Sequence, residues 1–177
     1  MKLVRSLLLV LVAGVIASVP LMAQEKQPAS PPGEASVKFD DGKTVTIKYS
    51  RPSMRGRKIY GELVPYGKVW RTGANAATSL TTDTALDIGG TTVPAGDYTL
   101  YTLPGEKSWQ LIVNKQTGQW GTKYDQGQDL ARIPMKVSQL PSGLEIFTIS
   151  LDKTGAKSAT LKLDWELTSA SVNITEK

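Results

Sequence analysis

Four arginines fall in one short stretch of the chain. Arg51, Arg55, Arg57 and Arg71, with Lys58 among them, lie inside YSRPSMRGRKIYGELVPYGKVWRTGANAAT, residues Tyr49 to Thr78. Arginine is always charged, and its planar fork of donors matches carboxylate, sulfate, phosphate and paired hydroxyls. Trp70 and Asn75 belong to the same stretch, and Tyr101 follows downstream. Flat aromatic faces beside fixed donors suit sugars and anions. These residue types predict a ligand site in which Arg51, Arg57, Arg71 and Asn75 supply hydrogen bonds, with Trp70 and Tyr101 as walls. The competing reading is that the arginines brace the fold, because ion-pair networks also belong to scaffolds.

The stretch must be held in place by what surrounds it. Gly56, Gly61, Gly67 and Gly73 punctuate it, and Pro52 and Pro65 fix φ and push the residue before them out of the helical region. This pattern predicts an ordered, non-repetitive excursion with one short helical turn near Glu62–Tyr66. Ordered loops on rigid scaffolds often carry function.

Much chemistry is excluded by composition. The 177 residues contain no His and no Cys. Serine–histidine triads, histidine-ligated metals, thiolate nucleophiles, iron–sulfur ligation and disulfides are therefore all absent. No phosphate-binding glycine loop opens a helix. Carboxylates remain: Glu62, Asp97 and Glu145 flank the distinctive motifs. A pair of them could act as acid and base on a glycosidic bond, or each could neutralise Arg51, Arg57 or Arg71. Asp40-Asp41 and the run Asp125 to Asp129 offer oxygen ligands, but neither matches a calcium loop. No metal and no cofactor is assigned.

Residues 1–23 read as a secretory signal peptide. Lys2 and Arg5 precede an apolar run from Leu7 to Val19, and Ala23 offers a cleavage point. The expectation is a periplasmic or extracellular protein with no membrane span once the signal is removed. The formal net charge is +5, of which Lys2 and Arg5 contribute two, leaving +3. A balance this mild, without a basic stripe interleaved with aromatics, argues against nucleic acid as a partner. Residues 24–34 are polar and Pro-rich and read as a flexible linker. Residues 35–177 form one domain.

Within that domain the pattern is of strands. Ala35 to Ser50 alternates around Asp41-Gly42, a hairpin signal. Lys68–Thr72, Ala77–Asp83, Ala85–Ile88 and Thr91–Val93 follow. Asp97–Leu103 and Trp109–Asn114 are apolar on both faces and read as central strands. Lys115–Gln128 reads as a long loop with Trp120 exposed. Asp129–Leu140, interrupted by Pro134, reads as an edge strand, and Pro141-Ser142-Gly143 as a turn into Leu144–Leu151. In Ser158–Thr168 the residues Ala159, Leu161, Leu163, Trp165 and Leu167 share one face. Ala170–Ile174 would add a last strand. Trp109 and Trp165 are assigned to the core. About ten short strands at this spacing predict an all-β, antiparallel β-sandwich, jelly-roll-like or Ig-like, with the Arg/Gly-rich excursion after the first hairpin.

The RP-x₃-GR and WRTGAN blocks, then VPAGDYTLYTLPG, WQLIVNK, LEIFTISL and LKLDWE, together resemble the domain of unknown function 2911 family of secreted bacterial proteins. The resemblance runs from about Ala35 to the C-terminus. It implies an exported all-β bacterial domain and assigns no reaction and no catalytic residue.

The function these observations point to is binding of a small polar ligand, a carbohydrate or an anion. Two alternatives stand beside it. One is a His-free glycan-active enzyme using Glu62, Asp97 or Glu145. The other is an envelope-associated structural protein without a ligand. Oligomeric state is left open.

Overall fold

The structure, a computed structural model, describes residues 30–177. The expected signal segment and linker residues 24–29 lie outside the described residues. Among the described residues there is no α-helix, only a single 3-10 turn at Gln126–Gln128. The strands are β1 (Pro32–Lys38), β2 (Thr44–Ser50), β3 (Thr78–Thr82), β4 (Leu86–Ile88), β5 (Thr91–Val93), β6 (Gly96–Leu103), β7 (Trp109–Asn114), β8 (Asp129–Gly155) and β9 (Ser158–Glu176). They join in one open antiparallel order, β1-β2-β3-β6-β7-β8-β9-β4-β5.

The turns form where backbone chemistry demands. Gly42 takes φ 93° in the β1–β2 turn, where its amide donates to the Phe39 carbonyl at 3.0 Å. Gly89 and Gly90 take φ 55° and 88°, the two left-handed positions of a tight hairpin, between β4 and β5. The alternating apolar residues of all nine strands then meet in one continuous core. Tyr49 of β2, Trp109 of β7, Phe147 of β8 and Trp165 of β9 all contribute to it. The two ends of the strand order thus share one interior, consistent with the expected sandwich.

Strands β6 and β7 are buried on both faces, as their sequences predict. Leu100 faces the core, while Thr99 and Tyr101 face outward beneath the loop that follows β7. Thr99 Oγ1 donates to the Gln116 carbonyl at 2.7 Å. The Tyr101 hydroxyl donates to the Lys123 carbonyl at 3.2 Å and accepts from Gln119 Nε2 at 3.1 Å.

Several local expectations are corrected. Pro32, Gly33 and Glu34, read as the end of a linker, pair with Ser50, Tyr49 and Lys48. Lys68–Thr72 is not a strand; it contributes a single bridge, Trp70 to Thr102. The segment Glu62–Tyr66 makes tight turns and no helical turn, with the Gly61 amide donating to the Val64 carbonyl. Residues 129–140 serve two ladders in turn: Asp129–Met135 pair with β7 alone, at the edge that Pro134 predicts, and Lys136–Gln139 pair with β9 alone.

Pro141-Ser142-Gly143 does not end a strand. It lies inside β8, where Gln139 faces Thr168 and Leu144 faces Glu166, so five steps on one strand match two on the other. This irregularity lets one long strand bend over the core. On the partner strand Glu166 takes φ 54°. The alternation shifts there: Trp165 is buried, and the next deeply buried apolar residues are Ala170, Val172 and Ile174. Leu167, expected inward, is instead 44% exposed.

Candidate functional site

The Arg-rich stretch wraps the end of the core where β8 and β9 bend. Its first part is pinned to β8. The Met54 amide donates to the Glu145 carbonyl at 2.8 Å, and the Phe147 amide to the Pro52 carbonyl at 2.9 Å. Arg55 and Gly56 take φ 51° and 72°, and the Arg57 amide donates to the Met54 carbonyl at 3.1 Å. Two left-handed central residues make this a mirror-image tight turn. The Arg57 side chain folds back over it, with Nε donating to the Met54 carbonyl at 2.9 Å and Nη2 to the Ser53 carbonyl at 2.8 Å. Its guanidinium is oriented by carbonyls and, among the described residues, has no carboxylate partner.

The second part is pinned to β6. Trp70 and Thr102 exchange both backbone hydrogen bonds, at 2.8 and 2.9 Å. Thr72 follows at φ 55°, a costly conformation for a β-branched residue. It is held there by buried partners: its hydroxyl donates to the Trp70 carbonyl at 3.3 Å, and its carbonyl accepts from Thr78 Oγ1 at 2.8 Å. Gly73 is required next, because a Cβ would lie 3.0 Å from the Ser50 carbonyl oxygen. Asn75, at φ 59°, donates through Nδ2 to the Ser30 carbonyl at 3.3 Å and to Ser50 Oγ at 3.4 Å.

Between these two parts lies a cleft of about 310 Å³. Arg57, Arg71 and Asn75 supply its polar lining, together with Ser30. Its apolar lining includes Pro52, Leu63, Val64, Trp70 and Trp165. The indoles of Trp70 and Trp165 are stacked, with centroids 5.9 Å apart and planes 18° from parallel. They belong to an aromatic cluster in which Tyr60 meets Trp109 edge to face at 4.9 Å and Trp70 meets Phe147 at 5.0 Å. The Tyr60 hydroxyl is buried with no hydrogen-bond partner among the described residues. Burial, then the carboxylates of Glu166 and Asp164, push its ionisation well above the usual phenol range. The cluster therefore stays neutral.

Arg71 is the central cation. Its Nε is buried without a hydrogen-bond partner among the described residues. Its aliphatic stem lies on Gly121, where a Cβ would fall onto Arg71 Cδ and come within 2.8 Å of the Asn75 carbonyl oxygen. Gly121 is brought there by the loop after β7: its amide donates to the Asn75 carbonyl at 3.1 Å, and Ala76 and Trp120 form a bridge.

Of the six residues assigned from sequence, the structure brings four together: Arg57, Trp70, Arg71 and Asn75. Arg51 does not line this cleft. Its stem packs on Gly33, where a Cβ would lie 2.7 Å from its Cγ and Cδ, and its Nε is buried without a partner. Tyr101 does not line it either; its hydroxyl ties down the loop that carries Gly121. Trp165, Leu63 and Gly121 were missed. Trp165 carried only the signal of a core strand residue, and it is both: 1% exposed and part of the cleft lining.

Among the described residues no carboxylate lines the cleft. Glu62 lies 3.7 Å from Lys58. Asp97 accepts from Thr81 Oγ1 at 2.6 Å, and Glu145 accepts from the Arg55 amide at 2.8 Å. Among the described residues no ion pair involves Arg51, Arg57 or Arg71. Asp129 has a different role: its carboxylate accepts from Tyr124, Arg132 and Asn114 and anchors the loop after β7. Among the described residues no three acidic side chains cluster to hold a metal.

Searches of curated proteins and of solved structures found no match to the chain. The family model described as a protein of unknown function, DUF2911, matches residues 30–174, a span covering β1 to β8, β9 as far as Ile174 and the whole lining of the cleft. The chain therefore belongs to the DUF2911 family.

Proposed function

We propose that this protein is an exported binding module for a small polar ligand, held in the cleft between Arg57, Arg71, Asn75 and the stacked Trp70–Trp165 pair. The observation that carries this reading is Arg71: among the described residues its Nε is buried without a partner, and no carboxylate lines the cleft it borders. Buried polar atoms nearly always find a partner within the fold. A guanidinium without a carboxylate partner among the described residues, lining a cleft beside Trp70, suits a polar or anionic ligand. The cleft volume of about 310 Å³ sits at the small end of ligand pockets. Export is inferred from the basic and apolar pattern of residues 1–23.

Binding is favoured over glycan hydrolysis because Glu62, Asp97 and Glu145 each have another partner and none reaches the cleft lining. The test is a thermal-shift titration of the purified protein against neutral and acidic mono- and disaccharides, hydroxy acids and inorganic oxyanions. A ligand at about one hundred times its Kd stabilises by about 2.7 kcal/mol. The expected result is a rise in Tm with at least one member, lost in Arg71→Met. A flat response across the panel overturns the reading.

A further inference from the structure

We infer that the ligand is an acidic sugar or a close chemical equivalent: a small hydroxylated ring carrying an oxyanion. This rests on the proposed binding role of the cleft and names its ligand class.

The charge requirement comes from Arg57 and Arg71. Both line the cleft, and neither is neutralised by a carboxylate among the described residues. Arg57 has already spent Nε on the Met54 carbonyl and Nη2 on the Ser53 carbonyl, so its orientation is set before any ligand arrives. Arg71 keeps its buried Nε unspent. A neutral ring would leave both charges uncompensated. An oxyanion would compensate them with short, charge-assisted hydrogen bonds.

The hydroxyl requirement comes from Asn75. The Ser30 carbonyl can only accept, which fixes the amide nitrogen of Asn75 toward it at 3.3 Å. Asn75 Oδ1 is left as an acceptor at the same cleft. An oxyanion cannot donate to it; a hydroxyl can. The ring requirement comes from Trp70, partly buried, and Leu63, 45% exposed, which give the same cleft an apolar wall that a bare inorganic anion would leave uncovered. One ligand that meets all three demands carries its negative group and its hydroxyls on one apolar-faced ring.

The experiment compares glucuronate, glucose and inorganic sulfate on the purified protein, read by intrinsic tryptophan fluorescence, since Trp70 lies in the cleft wall. Glucuronate is expected to bind with an affinity about 10- to 100-fold above glucose, the range for hydrogen bonds to a charged partner. Arg71→Met should remove that preference, each titration being read against the variant's own unliganded spectrum. Sulfate should bind more weakly than glucuronate. Glucose binding as tightly as glucuronate overturns the anion assignment while leaving a binding site in place. Sulfate binding as tightly as glucuronate overturns the ring and hydroxyl assignment. If none of the three perturbs the spectrum, and the wider panel is also flat in the thermal-shift assay, the binding role itself falls.

Discussion

The hydroxyl of Tyr49 accepts a hydrogen bond from the Ile149 amide at 2.9 Å and lies 3.5 Å from the Ile149 carbonyl oxygen, a hundred residues away in sequence. It does for β8 what a neighbouring strand would do. On its other side Ile149 is paired with Leu163 of β9. The Tyr49 ring also packs edge to face on Phe147, with centroids 5.7 Å apart. One side chain therefore joins β2 to the far half of β8 and closes the side of the core beside the cleft.

Tyr49→Phe keeps the ring contact and orphans the Ile149 amide. Leaving a buried donor unsatisfied costs about 1–3 kcal/mol. Chemical denaturation should report a loss in that range with an unchanged m-value. A loss below about 0.5 kcal/mol would mean that water reaches the amide and that the hydroxyl is not a structural link.

Arg71 and Asp129 make opposite predictions. Asp129 is only 11% exposed at its side chain and accepts from three donors, so Asp129→Ala strands Arg132, Tyr124 and Asn114. Removing one member of such a network costs about 3 kcal/mol. Arg71 has no such partner, and Arg71→Met keeps its stem on Gly121 while deleting an orphaned polar atom. Its stability should fall by less than about 1 kcal/mol or should rise, the pattern of a site held at some cost to the fold. Melting curves of the two variants, run side by side, decide this. A loss of about 3 kcal/mol in Arg71→Met would make Arg71 a brace.

The hairpins, the doubly buried β6 and β7 and the exposed Trp120 were legible in the sequence because each depends on neighbouring residues. Asp41-Gly42 and Gly89-Gly90 name their own turns, and Trp120, set in a polar loop, is 55% exposed. The bend in β8 was not legible. Pro141-Ser142-Gly143 carries the chemistry of a turn, and only pairing with β9 makes it a bulge. Leu167 misled for the same reason: the register shift at Glu166 follows from β8, and alternation alone would bury that leucine. The Arg-rich stretch was recognised as unusual, but its division was not foreseen. Arg51 packs on Gly33 and Arg71 on Gly121, and both glycines are remote contacts that composition and spacing do not encode.

Gly121→Ala tests that second contact. The new Cβ would take the place of Arg71 Cδ, so the guanidinium must leave its position over the cleft. Binding of glucuronate should fall at least about 10-fold, comparable to Arg71→Met, since a charge-assisted bond is lost. Gly118→Ala is the control. It sits at φ 76° with nothing near its would-be Cβ, so it costs about 1 kcal/mol of backbone strain and leaves Arg71 in place. Equal effects of the two variants on binding would show that loop order alone matters, and not the seat that Gly121 makes for Arg71.

The loop that carries Gly121 should also set the alkaline limit of the fold. Burial, and then the hydrogen bond to Asp129, push the Tyr124 phenol from its ordinary value of 10.0 up to about 12. A folded-state value above the unfolded one means the stabilisation is complete below pH about 10 and is lost as pH rises toward about 12. Tyr60 shifts in the same direction through burial. Stability measured against pH should therefore be level with respect to these two groups near neutrality and fall steeply above pH about 10. Tyr124→Phe removes one of the titrating groups, so the fall should become shallower, at the cost of a lower plateau from the lost hydrogen bonds to Asp129 and Arg132. An alkaline limb of identical slope in the variant would show that Tyr124 ionises as freely in the folded protein as in the unfolded chain.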